Sequence, residues 1–197
     1  KGQDRVSPFL VPMMMPNAGA ATVSMRFGWQ GPCETTVTAC AAGTHSIGNA
    51  VRLIQDGRCD AVLAGGSEAS LTPTAIAGFS NMTALSSSGH SRPFDRRRDG
   101  FVIAEAAAVL VLEEWEAATA RGATILAEML GSASTADAHH ITAPSPGGVG
   151  ATNCMELALA DAGLTPADIV HINAHGTSTP LNDAAEAEAI HKLFGSP

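Results

Sequence analysis

Apolar positions along the chain fall into short blocks with two different periods. From Ala41 to Gln55 the residues Ile47, Ala50, Val51 and Ile54 recur at the spacing of one helical face, and Gly57 supplies a stop, so this block predicts a helix. Before it, Glu34 to Ala39 form a run rich in β-branched residues that predicts a buried strand, and "CDAVLAGG" after it predicts another. Strand, helix and strand within about 30 residues make a βαβ unit, which implies adjacent parallel strands joined by a right-handed crossover.

The flanking blocks are less regular. Three prolines punctuate "VSPFLVPMMMPNAGAATVSMRFG" ahead of a helical segment from Asn17 to Arg26, and Gly28 to Cys33 read as turn. The polar stretch "LTPTAIAGFSNMTALSSSGHSRPFDRRRDG" reads as a long loop, of the kind that carries function or contacts, and "AEAAAVLVLEE" reads as a strand feeding a short helix from Glu114 to Ala120. After Gly122 come a strand from Ile125 to Ser132, the irregular "STADAHHITAPSPGG", a helix through "ATNCMELALADAG", a strand in "DIVHINAHG" and a helix from about Asp183 to Phe194. The order strand, loop, helix, strand recurs without a fixed period, which predicts a layered α/β protein and excludes a solenoid.

Composition narrows the class. With 197 residues, 45% apolar and 15% charged, the chain is long enough to bury a core and is not a disordered segment. The net charge of −8 is spread along the sequence and the longest basic run is Arg96-Arg97-Arg98, which argues against a nucleic-acid surface. No apolar run approaches the roughly 20 residues of a membrane span. Four cysteines without a CxxC pair or a signal peptide point to a reducing compartment, and a cytoplasmic location is expected. The opening "KGQDRVSPFL" is neither a signal h-region nor a natural start, so the sequence is expected to begin in mid-protein.

Two stretches carry candidate chemistry. If the helix begins just after Cys40, that thiol sits on the first helical turn, where unpaired N–H groups and the positive dipole end stabilise a thiolate and an oxyanion. Position alone leaves the alternative, a small buried hydrophobe, equally open. In "NAHGTSTPLND" a strand delivers His175 at its carboxyl end, where ligands of α/β sheets bind; Gly176 permits close backbone approach, and Thr177 and Thr179 offer hydroxyls. Asp183 and Glu186 fit D-x-x-E, which serves equally as a helix capping box or as part of a site.

Other patterns fail. His171 and His175 lie roughly 13 Å apart on a strand at about 3.3 Å per residue, so they do not share a metal, and no metal site is expected. His139 and His140 diverge if extended. "THSIG" lacks the first glycine of a hydrolase elbow, and "AGGSEA" lacks a dinucleotide fingerprint.

In this order and spacing, "TACAAGTHSIG", "SRPFDRRRDGFVIAEAAAVLVLEE" and "NAHGTSTPLNDAAEAEAI" resemble the elongating β-ketoacyl-acyl carrier protein synthases of the thiolase superfamily, and also the ketosynthases of polyketide assembly. The resemblance implies a five-layer αβαβα fold, present here as a partial chain. Residues 1–124 would be the later part of the N-terminal half and residues 125–197 the first part of the C-terminal half. It implies a decarboxylative Claisen condensation in fatty-acid or polyketide synthesis, with no cofactor beyond the phosphopantetheine arm of acyl carrier protein. The partners would be that carrier, acyl and malonyl thioesters, and a second copy in a homodimer, with the strand before Cys40 pairing across the two-fold axis.

By the same resemblance Cys40 is the nucleophile and His175 the first of two histidines that serve the enolate. Thr177 and Thr179 contact the pantetheine arm, Phe79 lines the acyl pocket, and Glu186 is the acid that organises the site. The second histidine, a lysine before it and the gating loop are expected beyond Pro197. Against the resemblance, "SSSGHSRPFD" is shorter than the common pattern. Two other readings compete. A noncatalytic chain-length partner subunit shares the fold but lacks the cysteine, and a papain-like Cys-His hydrolase carries a signature absent around Ala39 and Cys40.

Overall fold

A computed structural model describes residues 2–195, which divide into two compact units. Among the described residues, the first unit runs to Gly66 and takes in Val109–Ala123; the second comprises Ser67–Ala108 and the chain from Thr124 on.

In the first unit, two short helices, α1 (Leu10–Met14) and α2 (Ala18–Phe27), precede Gly28, whose φ of 69° ends α2 in the left-handed conformation favoured by glycine. The long helix α3 (Ala42–Gln55) follows a single 3-10 turn, Ala39–Ala41. It buries Gly48 and Ala50 and half-buries Ile47, Val51 and Ile54, the face its periodicity predicts. The strand β1 (Ala61–Glu68) comes next, and its glycines are used for packing. A Cβ on Gly66 would lie 3.4 Å from the Cα of Gly43, so the first turn of α3 rests directly on the β1 backbone, and the Gly65 amide donates to Ser46 Oγ at 3.3 Å.

In the second unit, α4 (Pro73–Asn81) occupies part of the stretch that the sequence reads as loop. Its signal is local: Thr72 accepts the Ala75 amide as N-cap and Pro73 takes the first helical position. The strand β2 (Ala106–Glu113), whose residues from Val109 on belong to the first unit, pairs with β1, and the Glu114 amide donates to the Asp60 carbonyl at 3.1 Å, so the start of β1 lies beside the end of β2. The short helix expected from Glu114 forms as α5 (Trp115–Ala120), also in the first unit, with Glu114 outside it as the N-cap whose side chain accepts the Ala117 amide. The helix α6 (Val149–Ala162) packs on α7 (Pro180–Phe194), and Gly148 between them has no room for a side chain, since a Cβ there would collide with Ala185 and Ala189.

Three expected strands form no ladder. Residues 34–39, 125–132 and 169–174 lie outside regular strands, and the only sheet among the described residues is β1 with β2. The expected βαβ unit with adjacent parallel strands is therefore not formed. Strand pairing needs a hydrogen-bonded neighbour, which local periodicity does not supply. Among the described residues the buried apolar ones are alanines (Ala50, Ala64, Ala118, Ala189), while Val109, Leu110 and Val111 of β2 are exposed. Such an apolar run is the mark of a strand covered on both faces.

Candidate active site

In the first unit, Cys40 occupies the middle of the 3-10 turn that runs straight into α3. Ala39 before it is held at φ 51°, a left-handed conformation that costs a non-glycine residue roughly 1 kcal/mol. The turn closes with the Ala41 amide on the Thr38 carbonyl at 3.1 Å, and His45 Nδ1 reaches back to within 2.8 Å of Thr38 Oγ1. The consequence is an exposed thiol at the N-terminal end of a 14-residue helix that no side chain caps. Uncapped amides at such an end are suited to a developing oxyanion. Nothing among the described residues buries the Cys40 thiol.

The other cysteines lack this setting. Cys33 is exposed but lies in an irregular segment, Cys59 is half-buried, and Cys154 donates weakly to the Ala133 carbonyl at 3.6 Å.

In the second unit the segment from His175 to Thr179 is fixed from several sides. The Glu186 carboxylate reaches back from α7 and accepts the His175 amide at 2.6 Å and the Gly176 amide at 2.8 Å. Gly176 has φ 51°, and a Cβ there would press within 3.2 Å of Pro93. Ser178 is fully buried at φ 64°, and its strain is over-determined by three bonds. Its hydroxyl accepts the Arg92 amide at 2.8 Å, its carbonyl accepts the Gly100 amide at 2.8 Å, and its own amide donates to Asp183 at 3.1 Å. Thr177 and Thr179, on either side, bring their hydroxyls to 2.8 Å of each other.

Asp183 is a surprise of the structure. The helix α7 begins at Pro180 with Thr179 as N-cap, three residues before the expected start, so Asp183 lies inside the helix and D-x-x-E is not a capping box. Its carboxylate, 1% exposed, accepts the Phe94 amide at 2.7 Å as well as that of Ser178, and Arg98 Nε stands 3.7 Å away. Nothing in the sequence spacing announces these partners. Phe79 lies edge-on to Phe101 with ring centroids 5.6 Å apart, which holds its ring in place.

Other candidates fall away. His140 spends Nδ1 on the amides of Thr142 and Ala143. Among the described residues no three His, Cys, Asp or Glu side chains gather as a metal site requires. An open apolar hollow of about 370 Å³ is lined by Phe94, Ile172, Ala174, Ala187, Ile190 and His191 and by none of the candidate site residues.

Residues 1–118 match the model of the β-ketoacyl synthase N-terminal domain, and residues 126–197 that of the C-terminal domain. The chain belongs to the β-ketoacyl synthase family. It is 50% identical, over its whole length and 48% of the relative's, to 3-oxoacyl-[acyl-carrier-protein] synthase 2 of Synechocystis sp.. It is 51% identical to the enzyme of that name from Staphylococcus aureus, covering 99% of this chain and 49% of the relative.

Among solved structures it is similar to a type II PKS ketosynthase in complex with its acyl-carrier protein, at TM-score 0.95 and 38% identity over 98% of this chain and 49% of that one. It is also similar to a β-ketoacyl synthase from Burkholderia phymatum, at TM-score 0.91 and 42% identity over 98% and 48%. The β-ketoacyl synthase chain thus has the expected thiolase-like fold in part, and spans about half the length of the relatives it matches. No helix among the described residues is long and apolar enough to cross a membrane.

Proposed function

We propose that the full-length protein is a β-ketoacyl-acyl carrier protein synthase with Cys40 as its nucleophile. The observation that carries this reading is the Cys40 turn: an exposed thiol, preceded by a left-handed Ala39, at the uncapped start of α3. Cys40 Sγ attacks the carbonyl of an acyl thioester, the pantetheine thiol of the carrier leaves, and the acyl group is held on the enzyme. A malonyl thioester then loses carbon dioxide. The carbon of its enolate attacks the Cys40 thioester, a C–C bond forms, the C–S bond breaks, and the β-ketoacyl product stays on the carrier.

His175 donates a hydrogen bond to the enolate oxygen as charge develops there. Support comes from Glu186, which fixes the backbone of His175 and Gly176 with two charge-assisted bonds and leaves the imidazole exposed. Thr177 and Thr179 bind the phosphopantetheine arm, and Phe79, braced by Phe101, forms a wall of the acyl pocket. No further cofactor is required. The two halves of the fold meet at 124/125, a division supported by the limits of the two domain matches. Acyl carrier protein is the partner, as in the solved complex of the ketosynthase relative; a cytoplasmic site of action fits four cysteines without a CxxC pair. A homodimer pairs residues 34–39 with their symmetry mates, which suits a β-branched run that has no ladder among the described residues.

Incubating the full-length protein with acyl- and malonyl-carrier protein and reading the products by mass spectrometry tests the reading. A lengthened β-ketoacyl carrier is expected; free acid alone means a hydrolase, and no product means a noncatalytic partner subunit. A cerulenin-like electrophile is expected to form its adduct on Cys40, and labelling elsewhere with Cys40 untouched overturns the assignment.

A further inference from the structure

The second unit holds a charged side chain whose contacts converge on the hydroxyl pair without touching it. Arg98, 22% exposed at its side chain, inserts its guanidinium against the start of α7. Nε donates to the Thr179 carbonyl at 3.3 Å and Nη2 to the Pro180 carbonyl at 3.0 Å, while Nη1 donates to the Asp95 carbonyl at 3.1 Å. Nε also stands 3.7 Å from the buried carboxylate of Asp183, the group that accepts the Ser178 amide. Residues 178, 179 and 180 are therefore gripped on consecutive backbone groups, with Thr179 inside the gripped stretch and Thr177 directly before it. A planar fork with several fixed donors can do this; a single ammonium cannot reach both carbonyls and the carboxylate.

We propose that Arg98 is a positioning residue that, together with Asp183, clamps residues 178–180 and so sets the Thr177–Thr179 hydroxyl pair for a pantetheine arm. This rests on the condensing-enzyme reading for the identity of the ligand. The clamp itself rests on contacts within one unit. Thr179 is the N-cap of α7 and Ser178 is left-handed, so a small change of backbone angle at either swings one hydroxyl away from the other. Arg98 acts through the backbone, and its effect depends on the hydroxyls being present.

The test uses the full-length protein with Arg98→Lys, Thr177→Val and the double variant. Lysine keeps a positive charge beside buried Asp183, so folding is retained while the fork is lost. Each single variant is expected to weaken binding of a nonhydrolysable acyl-pantetheine amide by roughly 5- to 10-fold, the worth of about one hydrogen bond. The double variant is expected to bind no more weakly than Thr177→Val alone. Unchanged binding in Arg98→Lys, or losses that multiply in the double variant, overturns the clamp. Hydrogen exchange over residues 175–183 supplies a readout independent of turnover: faster exchange of the Ser178 amide in Arg98→Lys is expected, and unaltered exchange overturns the proposal. A wild-type protein that makes no β-ketoacyl product, yet shows the exchange difference, removes the condensing reading and leaves the clamp standing.

Discussion

The Cys40 turn and the His175–Thr179 segment are both held in unusual backbone conformations, by different means. Around Cys40 the constraints are few and local: one left-handed alanine, one turn hydrogen bond, and His45 one helical turn away. Around His175 they are many and distant in sequence, since Glu186, Asp183, Arg92, Phe94, Arg98 and Gly100 all contribute a bond or a charge. For the nucleophile proposed at Cys40, exposure gives a thioester carbonyl access to the thiol. A binding segment gains from preorganisation, because order established during folding does not have to be paid again on binding.

The largest effect that separates the two regions is expected from Cys40→Ala. Condensation by the full-length protein falls by roughly 10³-fold or more, as expected when a covalent nucleophile is lost. Stability stays within about 0.5 kcal/mol, since the side chain is exposed. Product assays and denaturant unfolding on the same sample check both halves of the statement. A large loss of stability would show that the turn is less autonomous than its contacts imply.

Asp183→Ala is the mirror experiment and comes next in size. It leaves the Phe94 and Ser178 amides without their acceptor and Arg98 without its counter-charge, at a cost of about 3 kcal/mol in unfolding free energy. Cys40 alkylation by iodoacetamide under native conditions is expected to proceed at the wild-type rate. A matching fall in alkylation would mean that the two regions are coupled.

The smallest effect concerns the segment that braces the second region from behind. Asp99 accepts from the Ser86 hydroxyl at 2.6 Å, the Ser87 hydroxyl at 2.9 Å and the Ser88 amide at 3.1 Å. These bonds, Ser86 foremost, lower its carboxyl from 3.8 to about 2. A carboxyl depressed in the folded state contributes stability that is present above about 4 and is lost as pH falls through about 2. Residues 86–99 are therefore expected to loosen between those limits, seen as a chemical-shift titration of the Ser88 amide that disappears in Asp99→Asn.

Much of this comparison was legible in the sequence, but unevenly. The helices α3, α5, α6 and α7 and the strands β1 and β2 announce themselves through period, caps and glycine stops, all of which are local. The helix α4 was hidden in polar composition, although Thr72-Pro73 carried its start signal. The strands expected at 34–39, 125–132 and 169–174 were misjudged as paired elements, because a ladder depends on a partner that no local window contains. In the candidate site, motif and resemblance single out Cys40, His175 and Glu186. The backbone grip of Glu186 on His175, and the whole environment of Asp183, were not legible. The bonds from Arg92 to Ser178 and from Phe94 to Asp183 span 86 and 89 residues, and only folding brings such groups together.

The bonds that tie Arg92, Phe94 and Gly100 to the Ser178 loop are made by main-chain amides, not by the side chains of those residues. Sequence drift on the outer side of this segment therefore leaves the loop untouched. Arg96 and Arg97 point to solvent and spend nothing on the fastening, apart from the exposed pair of Arg97 with Asp95. A segment built this way can change its exposed face while the bonds on its inner side are kept.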